Sequence, residues 1–240
     1  MRHRATAGGD HYPLTIKEEY DALGEEMRTC TKCALCASRH TVVVGRGDPT
    51  ARLVFIGEAP GDSEDAAGEA AVGRAGALLD ELCAEALIDK FLIINVLKCK
   101  PPNNEFPGDD RSRHGIDVVD KCIPWLDSQL EIVRPRAIVL IGGRATSNTI
   151  YRGRKSPAMK DMVGKWMRSD AYPGIELFAM YHMTYMLRLK GYDDLRYDRV
   201  REETMEVLHN AQRVAGGELP TGTPLGISER RDKGDQLNFF

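Results

Sequence analysis

Val54-Phe55-Ile56-Gly57-Glu58-Ala59-Pro60-Gly61-Asp62-Ser63-Glu64-Asp65 is the stretch that decides the fold. A β-branched and aromatic run stops at Gly-Glu-Ala-Pro-Gly and passes three acids, Asp62, Glu64 and Asp65. It then continues through Gly68, Gly73 and Gly76 into Leu78-Leu79-Asp80-Glu81-Leu82. That succession is how a buried parallel strand hands over to a helix. In open α/β sheets ligands bind beyond the carboxyl ends of such strands, which places the carboxylates of Glu58, Glu64 and Asp65 at a site mouth.

Working outward, residues 53–56 form the first core strand, and apolar runs at 91–97, 137–141 and 175–181 repeat the pattern. The second ends near Lys98-Cys99-Lys100-Pro101-Pro102, the third at Gly142-Gly143 and the fourth at His182. Helical periodicity over 74–87, 116–133, 145–151 and 193–214 separates or follows them. Upstream, an amphipathic helix is predicted at 16–27 and a short edge strand at 41–45. Residues 103–115 read as a long loop. The expected fold class is α/β, a three-layer α/β/α sandwich around a central four-stranded parallel sheet. A single domain over residues 14–215 is expected between a disordered N-terminus (1–13) and a flexible C-terminal tail (216–240).

With 240 residues, 42% of them apolar, the chain suits one α/β domain with a real core. A mean hydropathy of -0.37 and the lack of a long apolar run exclude a membrane span. The basic start has no apolar segment after it, so a cytoplasmic location is expected. A net charge of -3 gives no general argument for nucleic acid. The segment from Arg134 to Arg168, however, has nine basic residues against Asp161 alone. It reads either as a phosphate-contacting face or as a solvated one.

Six cysteines are present. Cys30 and Cys33 sit at x2 spacing in a polar loop, Cys99 follows a strand, and Cys122 opens a helix. Four thiolates from two distant segments suit tetrahedral zinc or an iron–sulfur cluster, and spacing alone leaves these even. Cys83 falls on an apolar helix and reads as core; Cys36 is a spare thiol or an alternative ligand.

Together these motifs resemble the family 4 uracil-DNA glycosylases, the iron–sulfur members of the uracil-DNA glycosylase superfamily. The resemblance rests on Cys30-x2-Cys33, on Gly57-Glu58-Ala59-Pro60-Gly61 with Glu64-Asp65, and on Val72-Gly73-Arg74-Ala75-Gly76 with Leu78-Leu79-Asp80. It continues through Asn95-Val96-Leu97-Lys98-Cys99-Lys100-Pro101-Pro102, Cys122 with Gln129, and His182 with Leu187-Arg188. It implies a uracil-DNA glycosylase-like fold, DNA as partner and a monomer. It also implies a [4Fe-4S] cluster on Cys30, Cys33, Cys99 and Cys122, which displaces the zinc alternative. The reaction it implies is hydrolysis of an N-glycosidic bond on a nucleotide flipped from the DNA stack. Asn95 would read the pyrimidine edge, His182 would donate to the oxyanion developing at O2, and Glu58 would face base and water. Ala59 and Glu64 would lie against the base.

The chain departs from the family at three places. Where Gly-x-Pro-Phe-Val-Gly is usual, it has Gly68-Glu69-Ala70-Ala71-Val72-Gly73, so Ala71 occupies the position of the ring that stacks on uracil. Base–aromatic stacking contributes about 1–3 kcal/mol per base, and its loss leaves room for a larger base such as a 5-substituted uracil, or for Tyr181 or Phe106 to fill the gap. His182-Met183-Thr184-Tyr185 replaces His-Pro and small residues, with Met183 and Tyr185 expected as wedges and Arg188 as a DNA contact. Glu105 stands where an Arg is usual, and the loop to Cys122 carries Arg111, Arg113 and His114. These changes point to altered specificity, in base repair or in processing of modified DNA. An iron–sulfur module that binds DNA or a partner without cutting, and a zinc α/β protein with no nucleic-acid role, are the competing readings.

Overall fold

The computed structural model describes residues 13–107, 115–152, 157–222 and 224–227. A capping box between Thr15 and Glu18 starts α1 (Ile16–Arg28). There follow β1 (Arg46–Gly47), β2 (Leu53–Gly57), α2 (Asp62–Ala67), α3 (Arg74–Glu85), β3 (Leu92–Asn95) and α4 (Gly115–Val133). The second half contains β4 (Ala137–Ile141), α5 (Gly143–Ile150), α6 (Met159–Met162), β5 (Trp166–Ser169), β6 (Glu176–Met180), α7 (Met183–Leu189), α8 (Asp194–Ala215) and β7 (Leu225–Ile227).

The sheet order is β1-β3-β2-β4-β6-β5-β7. Its centre, β3-β2-β4-β6, is the predicted set of four parallel strands. Alternation sorts their side chains onto two faces. Val54, Ile56, Ile94, Ile138 and Leu140 pack with Met27 of α1 and with Trp125, Leu126 and Leu130 of α4. Phe55, Ile93, Val139, Ile141 and Phe178 pack with Leu78, Leu79 and Leu82 of α3, Met186 of α7 and Leu208 of α8. Three layers result, as a sheet apolar on both faces requires. The chain leaves β2 for β3 on one side, and β4 then lies on the other. The topological switch point, where a crevice opens, is thus between the carboxyl ends of β2 and β4.

Several expectations need correction. The sheet is mixed and wider than four strands: β1 and β5 run antiparallel to their neighbours β3 and β6, and β7 joins β5. β7 falls in the segment expected to be an unstructured tail. Residues 41–45 are not a strand. Val42, Val43 and Val44 are buried, but their backbone bonds go elsewhere, Val43 N to Lys98 O at 2.8 Å and Val44 O to Gln129 Nε2 at 2.7 Å. The basic run after Arg134 is dispersed. Arg152 pairs with Asp127 at 2.9 Å and Arg168 with Glu176 at 2.7 Å, so it forms no common phosphate face among the described residues. Arg154 and Lys155 lie outside them, as do Arg111, Arg113, His114, residues 1–12 and residues 228–240.

Gly76 near the start of α3 is needed for close approach, because a Cβ there would lie 1.7 Å from the Ala71 carbonyl oxygen. Gly24 in α1 is different: its nearest neighbour would be Val44 Cγ1 at 3.5 Å, an ordinary contact. Gly76→Ala should therefore destabilise the fold by about 1–3 kcal/mol or more. Gly24→Ala should stabilise it by about 0.5–1 kcal/mol. Urea unfolding of the two variants reads both signs.

Candidate active site

The parallel register brings the functional groups together. Gly57 pairs with Asn95 across β2 and β3, and Val96 N and Leu97 N continue the ladder onto Gly57 O and Glu58 O at 2.9 and 3.0 Å. On the other side, Ile141 pairs with Met180, two residues before His182. Glu58, Asn95 and His182 consequently line one cleft of about 450 Å³ at the switch point, with Ala59, Glu64, Ala71 and Arg188 on its walls.

Two glycines make the convergence possible. A Cβ on Gly57 would sit 2.4 Å from Asn95 Oδ1, so the Asn95 amide lies across a position that has no side chain. A Cβ on Gly142, whose φ is +91°, would be 2.6 Å from Glu58 Oε1 and 3.2 Å from His182 Cβ. Glu58 also accepts a hydrogen bond from Arg144 N at 3.3 Å, in the first turn of α5. The carboxylate is thereby turned toward a helix N-terminus.

His182 caps α7: its Nδ1 accepts from Thr184 N at 3.2 Å and lies 2.8 Å from Thr184 Oγ1. A backbone N–H can only donate, so Nδ1 carries the lone pair and the neutral ring bears its proton on Nε2. Burial pulls the imidazole below its ordinary titration range. The Glu58 carboxylate opposes that shift, and Arg188 reinforces it. The ring is therefore a neutral N–H donor rather than a cation.

The other acids of the stretch have structural partners. Glu64 spans two loops, accepting from Gly61 N at 3.0 Å and Gly73 N at 2.8 Å. Asp65 is not at the mouth: it is buried and accepts from His40 N and Thr41 N. Ala71 adopts φ +55°; its carbonyl and that of Ala70 are held by Arg46.

Of the expected DNA contacts, Arg188 is exposed at the cleft. Met183 is 2% exposed and packs into the core beside Met186, so its side chain is not presented as a wedge. Tyr185 lies against Tyr181, with ring centroids 5.3 Å apart, and under the Arg196 guanidinium. Tyr181 is therefore engaged away from the cleft, whereas Phe106 lines it. Arg144, which sequence reading counted only among the nine basic residues of the 134–168 segment, binds Phe106 O through Nη1 at 2.7 Å and covers its ring at 5.2 Å. Its place directly after Gly142-Gly143 at a strand end was the available signal.

Cys30, Cys33, Cys99 and Cys122 line a second cavity with Met27, Arg39, Lys98 and Trp125. Cys36 does not line it, and Cys83 is in the core of α3. Trp125 Nε1 points at Cys30 Sγ (3.4 Å), Arg39 Nη1 at Cys99 Sγ (3.5 Å) and Lys98 N at Cys122 Sγ (3.5 Å). Burial pushes the Cys99 thiol up to about 12 and raises that of Cys122. Ionised sulfur here thus calls for positive charge inside the cavity. Among the described residues no three His, Cys, Asp or Glu side chains converge closely enough to hold one ion. Four cysteine thiols around one cavity are a donor set that either a tetrahedral zinc or an iron–sulfur cluster takes. Lys98, 1% exposed, joins this cavity to the cleft, because its Nζ binds Asn95 O.

Comparison with known proteins identifies the family. Residues 44–206 match the family described as the Uracil DNA glycosylase superfamily. The chain is 39% identical over 172 residues to the type-4 uracil-DNA glycosylase of Sulfurisphaera tokodaii, covering 69% of this chain and 74% of that one. It is 36% identical over 176 residues to the type-4 uracil-DNA glycosylase of Thermotoga maritima, covering 72% and 86%. The corresponding protein of Saccharolobus solfataricus is 37% identical over 174 residues, covering 69% and 76%.

An NMR titration of the His182 ring should give a midpoint below the ordinary value of about 6.5. Arg188→Met, which removes a cation, should move the midpoint up; Glu58→Gln, which removes an anion, should move it further down.

Proposed function

Because the chain belongs to the uracil DNA glycosylase superfamily and groups with its type-4 members, we propose that it is a DNA N-glycosylase. It hydrolyses the bond between deoxyribose and uracil, or a modified pyrimidine, and leaves an abasic site. The observation that carries this reading is the convergence of Glu58, Asn95 and His182 on one cleft at the sheet's switch point.

The base must leave the stack to reach such a cleft. The Asn95 amide meets the edge of the base, and Ala59 and Ala71 form its walls. As the C1′–N1 bond breaks, its electron pair moves onto the base and negative charge grows at O2. The His182 Nε2–H donates there, and because the ring is neutral it stabilises the anion without surrendering a proton. Glu58 faces the electron-deficient sugar, orients water toward C1′, and takes the proton that water loses. Glu64 keeps the two loops around the base together, and Arg188 offers a cation to the DNA backbone at the mouth.

Cys30, Cys33, Cys99 and Cys122 suit a [4Fe-4S] cluster by their number, their shared cavity and the N–H groups aimed at their sulfurs. Such a cluster supplies a cross-link between the loop after α1, the end of β3 and α4. No helix among the described residues is long and apolar enough to cross a membrane. A DNA substrate and a cluster held on cysteine thiolates favour a reducing, cytoplasmic setting.

Incubated with uracil-containing DNA, the protein should generate alkali-labile abasic sites. Asn95→Ala and His182→Ala should each cut the single-turnover rate by about 100-fold or more, the scale for losing a donor to a developing oxyanion. DNA binding with no base released from uracil or 5-hydroxymethyluracil substrates would overturn the reading in favour of a module that does not cut. For the cofactor, the purified protein should be brown and contain about four irons and four sulfides per chain. Cys99→Ser should bleach it; a colourless protein holding one zinc is the contrary result.

A further inference from the structure

The cleft is chemically lopsided in a way its catalytic groups do not explain. One wall is Ala71, Ala75 and Gly76 with Leu79 behind them, on the side of α3. It presents little surface to a flat ring. The opposite wall carries Phe106, which packs partly against the core on the α4 side of the sheet. Among the described residues lining the cleft, Phe106 is the only Phe, Tyr or Trp. Its position is also fixed: Arg144 lies over the ring, 5.2 Å from its centroid, and holds its carbonyl at 2.7 Å. The same Arg144 donates its backbone N–H to Glu58. The ring and the carboxylate are therefore set by one residue.

We propose that Phe106 is the stacking platform for the extruded base, reaching it from the wall opposite Ala71, with Arg144 as the residue that positions the ring. The proposal rests on the glycosylase reading for what enters the cleft. An extruded base loses its neighbours in the stack, and an aromatic side chain restores a π-face. Stacking from the Phe106 side leaves the alanine–glycine wall as free space. The site is then tolerant of bulk on the face of the ring turned toward Ala71.

The test uses the full chain, its Phe106→Ala, Phe106→Leu, Phe106→Tyr and Arg144→Leu variants, and His182→Ala as reference. Two readouts are taken: kcat/KM for uracil release, and the binding preference for a non-hydrolysable 2′-fluoro-deoxyuridine oligonucleotide over the same strand with an abasic analogue. Phe106→Ala and Phe106→Leu should each lose about 5- to 150-fold in both. Phe106→Tyr should retain most of both, and Arg144→Leu should fall between. Leucine keeps the bulk and removes the π-system, so it guards against a loss caused by a collapsed loop. If Phe106→Leu matches the wild type in both readouts while His182→Ala is inactive, stacking by Phe106 is overturned and the glycosylase reading stands. If the wild type prefers the fluorinated base but releases none, the glycosylase reading fails, and the binding loss in Phe106→Leu still decides the stacking. A wild type that shows no such preference and releases no uracil overturns both.

Discussion

The site depends on the absence of a side chain at Gly57. In the β2–β3 register this residue faces Asn95, and the Asn95 amide occupies space that any Cβ at position 57 would enter. A parallel ladder fixes register strongly, because a one-residue slip would move every buried Val and Ile of β2 to the wrong face. The amide is thus located by the same apolar packing that makes the sheet. Glu58 follows one residue later at the same tip. Gly142, opposite, is the second bare position, and it lets Glu58 and His182 approach each other from separate strands.

This explains why three acids in one short stretch have three different fates. Glu58 lies beyond the end of β2, beside a glycine, with one backbone donor from Arg144, so part of the carboxylate is left open to the cleft. Glu64 has amide donors on both oxygens and closes a loop. Asp65, one residue further round α2, faces inward and is consumed by the His40 and Thr41 amides. Identical charges were sorted by where backbone N–H groups happened to point. A carboxylate is free to act only where those donors are few.

Much of this was legible in the sequence because its signals are local. The four central strands are unbroken apolar runs ending in glycine or polar turns, and the segments between them carry helical periodicity. Glu58, Asn95 and His182 each stand at the end of such a run, so their shared location follows once the strands are parallel. The missed strands are short and lack a run of that kind. β1 is Arg46 and Gly47, and β5 pairs only Trp166 and Met167 with β6; their pairing is decided by neighbours far away in the chain. Met183 shows the opposite error. After a strand end it reads as a loop residue free to enter a groove, but His182 caps a helix there and turns Met183 into the core. The clamp of Arg144 on Phe106 joins segments nearly forty residues apart, and no periodicity in either announces it.

The thiol cavity and the cleft are not independent parts. Lys98 links them: it lines the thiol cavity with its amide pointing at Cys122 Sγ, its carbonyl holds Val43, and its buried Nζ binds the carbonyl of Asn95. Burial lowers the Lys98 ammonium to about 8, while the nearby Cys122, Asp127 and Cys99 act in the opposite direction. An ammonium buried so completely calls for negative charge close by, and the Asp127 carboxylate is one such charge. The residue that lines the thiol cavity is therefore also the one that holds the backbone of the asparagine in the cleft. Three residues separate Asn95 from Lys98, and that short span transmits the rigidity of the thiol shell to the amide in the cleft.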